Sequence, residues 1–263
     1  MTKKLIVLLF IAILVIMVVS CKKKDIELSP DVANSDEALF ELGQSFIKKD
    51  AERARLYFRQ VIDSFPKSIY AQRAKLTIAD SYFKEKDETN LIISAAEYRE
   101  FISLFPFSPS APYAQYRVGM SFFKKALKPG RDQTKTQQAF EEFKLVVSKY
   151  PLSEEADMAR EKIKECEERL AEHTLSIAVL YYKTRAYKAA RSRLKDILSN
   201  FIEYSGMDLV YFYMGDSYYK ENLSEESIPY FTKLLTDYPN SKKAKKTQKR
   251  MDKIEAQNNS VKD

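Results

Sequence analysis

Helical apolar patterns in this chain stop five times at an aromatic residue, and four of those stops are sealed by proline. They are Phe65-Pro66, Phe105-Pro106, Tyr150-Pro151 and Tyr238-Pro239, with Phe201-Ile202 in the remaining place. Proline has no amide donor and pushes the preceding residue out of helical space, so each pair is expected to end a helix. Between successive stops there is room for two helices. The cleanest unit is Asp208 to Pro239, where Tyr211, Met214, Gly215 and Tyr218 form one stripe with a small residue at a point of close approach. Ser227, Phe231 and Leu234 continue the stripe on a second helix. Neither helix can bury its stripe alone, so copies must stack.

The earlier copies repeat the template with defects. Ser35 or Asp36 can cap a helix carrying Leu39, Leu42, Gly43 and Phe46, and Ala54, Phe58, Val61 and Ile62 mark its partner. The second pair has Leu76, Ile78, Ala79, Tyr82 and Phe83, then Ala95, Tyr98, Phe101 and Ile102. The third has Val118, Gly119 and Phe122, then Phe140, Phe143, Val146 and Val147; an insertion from Lys128 to Gln133 lengthens its loop at Pro129-Gly130. Nothing breaks the helical period from Ser153 to Thr184, which predicts one unusually long helix or two in near continuity. Its partner holds Ala190, Leu194, Ile197 and Leu198, and the missing proline at Ile202 predicts a less sharply punctuated end. Ser241 to Gln257 is lysine-rich and weakly apolar, as a polar capping helix should be. The aromatic, small and proline positions resemble the tetratricopeptide pattern, so the expected fold is all-α, an α-solenoid of about five such helical pairs.

Composition agrees with a packed helical chain: of 263 residues, 45% are apolar and 31% charged, with five glycines and nine prolines. Much of the net charge of +7 lies in Lys22 to Lys24 and in Lys242 to Arg250. No broad basic face for nucleic acid is expected. At the amino terminus Lys3 and Lys4 precede an apolar run from Leu5 to Val19, which has the length of a secretory leader rather than a spanning helix. Val18-Val19-Ser20-Cys21 resembles the lipobox of bacterial lipoproteins, which implies cleavage before Cys21 and acylation of its thiol. The competing reading is a plain transmembrane anchor with an incidental cysteine. By resemblance to known sorting rules, Lys22 in place of aspartate favours the outer membrane over the inner, with the protein facing the periplasm. The expected organisation is a leader (1–20), a lipidated cysteine and tether (21–34), amino-terminal repeats (35–151), carboxy-terminal repeats (152–240) and a basic capping helix and tail (241–263).

Catalytic chemistry is sparse. With Cys21 spent on lipid, His173 and Cys166 are the single histidine and single free cysteine, seven residues apart on one helical seam. Two turns separate them by about 10 Å, beyond the reach of a thiolate and its base. Both are expected to pack against the next helix. Glu154-Glu155 and Glu167-Glu168 read as solvated helix faces. No glycine-rich phosphate loop and no metal-ligand spacing stands out, so neither an enzyme, a cofactor nor a metal is expected. The rival reading is an envelope hydrolase that carries repeats.

A lipobox cysteine, a tether, five helical pairs and a very long middle helix together resemble the BamD family, the tetratricopeptide lipoproteins of the outer-membrane β-barrel assembly machine. The stretches that carry the resemblance are Ala96 to Phe101 through Phe105-Pro106, Ala139-Phe140 through Tyr150-Pro151, Arg169 to His173 into Ser176-Ile177-Ala178 and Tyr181-Tyr182, and Ala186 to Ala190. The resemblance implies a scaffold without a reaction of its own. Its carboxy-terminal repeats would dock on the periplasmic domains of the β-barrel insertase, and its amino-terminal repeats would receive unfolded outer-membrane protein segments. Accessory lipoproteins would be further partners. Arg193, in Ala190-Arg191-Ser192-Arg193-Leu194, falls on the family's insertase-contacting arginine. Register places Gln44, Arg73, Asp80, Tyr113, Tyr116 and Met120 at inward positions of the first helices, where rings and polar groups suit an extended, aromatic-ended segment. Tyr113 and Tyr116 serve equally well as packing between pairs. A repeat scaffold for other envelope or division complexes is the alternative function.

Overall fold

Short polar side chains start several of the helices. Ser35, Asp50, Asp87 and Ser153 each accept a hydrogen bond from the backbone N–H three residues on, at 3.0–3.2 Å. Each thereby satisfies an amide that the first turn leaves free. The computed structural model describes residues 30–260, and over that span every element is helical. Cys21, the leader and most of the tether lie outside the described residues.

The elements are α1 (Pro30–Ala33), α2 (Asp36–Phe46), α3 (Ala51–Ser64), α4 (Ile69–Glu85), α5 (Glu88–Leu104), α6 (Ala111–Phe123), α7 (Thr134–Lys149), α8 (Glu154–Lys183), α9 (Tyr187–Asn200), α10 (Met207–Lys220), α11 (Ser224–Asp237) and α12 (Ala244–Ser260). They form five helical pairs, α2/α3 to α10/α11, followed by α12. The single turn α1 occupies the end of the segment expected to be a plain tether, with Pro30 at the first helical position, where the amide would have no partner within the helix. The chain divides into two compact units between Ala74 and Lys75, inside α4.

In the first unit Phe40 packs on Phe58 and Tyr70, with ring centroids 5.4 and 5.5 Å away. Ser68, in the turn after α3, donates to Asp36 at the start of α2. The second unit repeats that tie: Ser241 donates to Asp208 at 2.5 Å, and Ser205 to Glu168. A further contact recurs inside the pairs. A ring from the second helix lies against the glycine of the first, Phe58 on Gly43, Phe143 on Gly119 and Phe231 on Gly215, so close that a Cβ there would sit 2.5–2.6 Å from ring carbons. Stripe and small residue therefore pair as expected. In the second pair Ala79 takes the glycine's place and Ser94 donates to its carbonyl at 3.1 Å.

One expectation is corrected at Ile202. The five residues that close the second helices, Phe65, Phe105, Tyr150, Phe201 and Tyr238, have φ from −134 to −130° and ψ from 52 to 59°. Each also donates its N–H to the carbonyl four residues back. Phe201 ends its helix as sharply as the proline-sealed copies because its ring, packed beside Leu198 and Tyr204 on the core of its pair, fixes the turn. Proline follows this geometry in the other copies but does not create it. Ile202→Pro should therefore raise stability by about 0.4–1 kcal/mol, since it removes freedom only from the unfolded chain. Urea unfolding checks this, and a loss would show that the Ile202 backbone differs from the other four turns.

α8 is one helix of 30 residues. Cys166 on it is fully buried with Phe143 and Val146 of α7, the preceding helix rather than the next one as expected. Burial pushes its thiol up to about 12 from an ordinary 9.0. The unfolded chain releases that proton first, so this contribution to stability is intact below pH 9 and is lost as pH rises toward 12. Modification by a thiol reagent at neutral pH should accordingly proceed at the rate of opening, and fast labelling of the folded protein would contradict the burial. His173 also departs from expectation. Instead of packing on the next helix, its Nδ1–H donates to the carbonyl of Pro129 at 2.6 Å, pinning the inserted loop to α8. Gln133 organises the same loop from within, donating to the carbonyls of Lys128 and Arg131 at 2.9 and 3.1 Å and accepting from Thr136 at 2.6 Å.

Candidate partner-binding surfaces

α9 carries two arginines whose fates its helical period separates. Ala190, Arg191, Leu194 and Ile197 face inward. Arg191 lies 4.2 Å over the ring of Tyr218 and 2.5 Å from Glu221, spent on holding α9 to α10. Arg193, two positions on, turns outward; its guanidinium is 3.4 Å from Asp196 and both side chains are about half exposed, at 49% and 48%. An exposed pair one turn apart contributes about 0.3–0.5 kcal/mol, so little holds Arg193 to its own helix. A planar guanidinium of this kind can grip a carboxylate through two parallel hydrogen bonds.

The inward positions of the first helices behave differently. Gln44 and Arg73 belong to the first unit, where the Arg73 guanidinium lies 4.6 Å over Phe40 and 5.3 Å over Tyr70. Asp80, Tyr113, Tyr116 and Met120 belong to the second, and there Asp80 and Tyr113 meet. Asp80 accepts from Tyr98 and from Tyr113, the latter at 2.7 Å, and Arg117 donates to the Tyr113 hydroxyl at 2.8 Å while stacking 4.5 Å over Phe83. Burial, reinforced by the Asp80 carboxylate, pushes both phenols up, so they remain donors. Tyr116 packs on Phe143 at 5.5 Å, and Met120 fills space beside the same core. The surface thus presents a carboxylate already satisfied by hydroxyls and edged by rings. Arg117, absent from the sequence reading, completes it.

A further carboxylate, fully buried, is not evident from the helical stripes. Asp216 on α10 is fully buried, accepting from Tyr182 of α8 at 2.5 Å and from Arg250 of α12 at 3.0 Å, with Lys246 at 3.6 Å. The signal lay in the sequence: Ala79-Asp80-Ser81-Tyr82 and Gly215-Asp216-Ser217-Tyr218 share Asp-Ser-Tyr after a small residue in two copies. In both, the acid follows the small residue, but Asp80 accepts from Tyr98 of its own pair's second helix as well as from Tyr113, whereas Asp216 is bound from α8 and α12.

Among the described residues no group of three or more His, Cys, Asp or Glu side chains could hold a metal ion. No described helix is long and apolar enough to cross a membrane. A stack of helical pairs with small residues under rings and aromatic stops, bearing an exposed arginine and a ring-edged polar face, defines a tetratricopeptide-type binding protein. Residues 32–227 match the sequence pattern of the YfiO family, described as outer membrane lipoprotein, and the chain belongs to that family. It is 31% identical over 171 residues to the outer membrane protein assembly factor BamD of Caulobacter vibrioides, an alignment covering 65% of this chain and 55% of that protein. The BamD of Rickettsia prowazekii is 28% identical over 243 residues, with 88% and 91% covered. Among solved structures, that of the MamA protein matches 80% of this chain and 94% of its own at 16% identity, but the TM-score of 0.33 is too low to bear on function.

Proposed function

We propose that this protein is a non-enzymatic scaffold of outer-membrane β-barrel assembly, held at the periplasmic face of the outer membrane by acyl chains on Cys21. Two or more chains make such an anchor durable, at about 0.8 kcal/mol for each buried methylene. The carboxy-terminal pairs dock the insertase through its periplasmic domains, with Arg193 at the contact. The first-helix face around Asp80, Tyr113, Tyr116 and Met120, and separately Gln44 and Arg73, receives unfolded outer-membrane protein segments. Accessory lipoproteins complete the assembly.

The observation that carries this reading is the placement of Arg193. In a chain matching the family over residues 32–227, the arginine at the docking position is half exposed and loosely held, while its neighbour Arg191 is locked inside. The test is a pull-down from detergent-solubilised envelopes with the lipidated protein and its Arg193→Glu variant. A large β-barrel protein with periplasmic domains should be recovered by the first and lost by the second. Recovery by both would retain the scaffold and remove Arg193 from the contact. Recovery of division or peptidoglycan factors without any barrel protein would favour a scaffold for other envelope complexes.

A further inference from the structure

The length of α8 has a local result. α9, at 14 residues, is about half as long as α8, and Ser205 in the turn that follows it donates to Glu168 in the middle of the long helix. The amino-terminal half of α8 therefore runs on past its partner. In the notch between the two lies a cleft of about 430 Å³ lined by Ile163, Phe201 and Tyr204 and by Glu167 and Glu203, which are close enough for the charge of one to act on the other. Ile202, 75% exposed, stands at its edge.

We infer that this cleft receives a lysine or arginine side chain of the docked protein partner, its aliphatic stem on Ile163, Phe201 and Tyr204 and its charged head between Glu167 and Glu203. This rests on the docking reading above and adds the partner's complementary element. Several observations support it. Neither carboxylate has an ion-pair partner among the described residues, although two cations also line the cleft. Arg160 is already held by Asp157 and by the carbonyl of Pro151, 3.2 Å away, and Lys164 closes no pair. Three carboxylates, Glu167, Glu168 and Glu203, line the cleft against the cations Arg160 and Lys164, and burial followed by the charge of Glu203 pushes the Glu167 carboxyl up against the opposing pull of Lys144 and Lys164. A cleft that offers Ile163, Phe201 and Tyr204 beside two carboxylates without ion-pair partners matches a long cationic side chain, which keeps its stem dry and its head paired. The cleft also continues the Arg193 surface. Arg193, Asp196 and Asn200 lie on one face of α9, at intervals of three and four residues, and Asn200 lines the cleft. Arg193 would hold a partner carboxylate and the cleft a partner cation, an arrangement that fixes orientation as well as affinity.

The experiment measures binding of the full-length protein to the purified periplasmic domains of the insertase from the same bacterium, across a salt series. Three variants accompany the wild type: Glu167→Gln with Glu203→Gln, the exposed Glu203→Arg alone, and Arg193→Glu. The expected result is at least tenfold weaker binding for both cleft variants, with a shallower salt dependence for the double one. Its melting temperature should match or exceed that of the wild type, because a repulsion has been removed. If the wild type and the cleft variants bind within twofold of each other while Arg193→Glu fails, the cleft inference is overturned and docking stands. If the wild type does not bind at all, the docking reading falls and the cleft inference falls with it.

Discussion

Replacing Asp216 with alanine is expected to destabilise the second unit by about 3–5 kcal/mol, the cost of removing one member from a buried charged network. The carboxylate is fully buried and ties three helices, α8 through Tyr182, its own α10, and α12 through Arg250. Without it Arg250 retains its stacking over Tyr219 but loses its counter-charge, and the Tyr182 hydroxyl is left without an acceptor. α12 should loosen first, since it buries few side chains of its own, chiefly Thr247 and Ile254. Chemical denaturation gives the total, and hydrogen exchange along α12 gives the order of events. A loss below about 1 kcal/mol would mean that the carboxylate behaves as a solvated surface group.

The second large effect is expected where ring meets glycine. Phe231→Ala should cost about 3–5 kcal/mol, because a fully buried ring leaves a cavity that the two helices cannot close. Gly215→Ala should cost about 1–3 kcal/mol by the opposite route, its methyl directed at ring carbons 2.5 Å away. The double variant is the sharper measurement. An added methyl meets no ring once the ring is gone, so the combined loss should fall short of the sum by a coupling of about 0.5–3 kcal/mol. Strict additivity would show that Gly215 and Phe231 do not share one packing problem.

These two cases differ in how legible they are. Glycine and ring were readable because each recurs at a fixed place in a helical period, and period is what a sequence displays. Asp216 recurs too, but a stripe of apolar residues gives no place to an acid, and its burial depends on partners 34 residues away on either side, Tyr182 and Arg250. The same holds for His173, whose partner is a carbonyl 44 residues earlier in an inserted loop. Ile202 failed for another reason. Proline marks the helix ends in the sequence, but the preceding aromatic, packed against the core, already sets the turn. Arg193 was placed by resemblance alone, and the structure adds that its neighbour Arg191 is the one consumed by packing.

Five aromatic stops with nearly one set of dihedral angles also bear on how such a chain can change. Each second helix is terminated by its own last residue, independently of how many residues precede it. A six-residue insertion from Lys128 to Gln133 and a first helix grown to 30 residues are both followed by stops indistinguishable from the rest. Length errors are thus absorbed within the pair in which they arise and are not passed to the next. Insertions and deletions between first and second helices should be tolerated far better than single substitutions at Phe65, Phe105, Tyr150, Phe201 or Tyr238, and new surface can be added to one pair while the others keep their register.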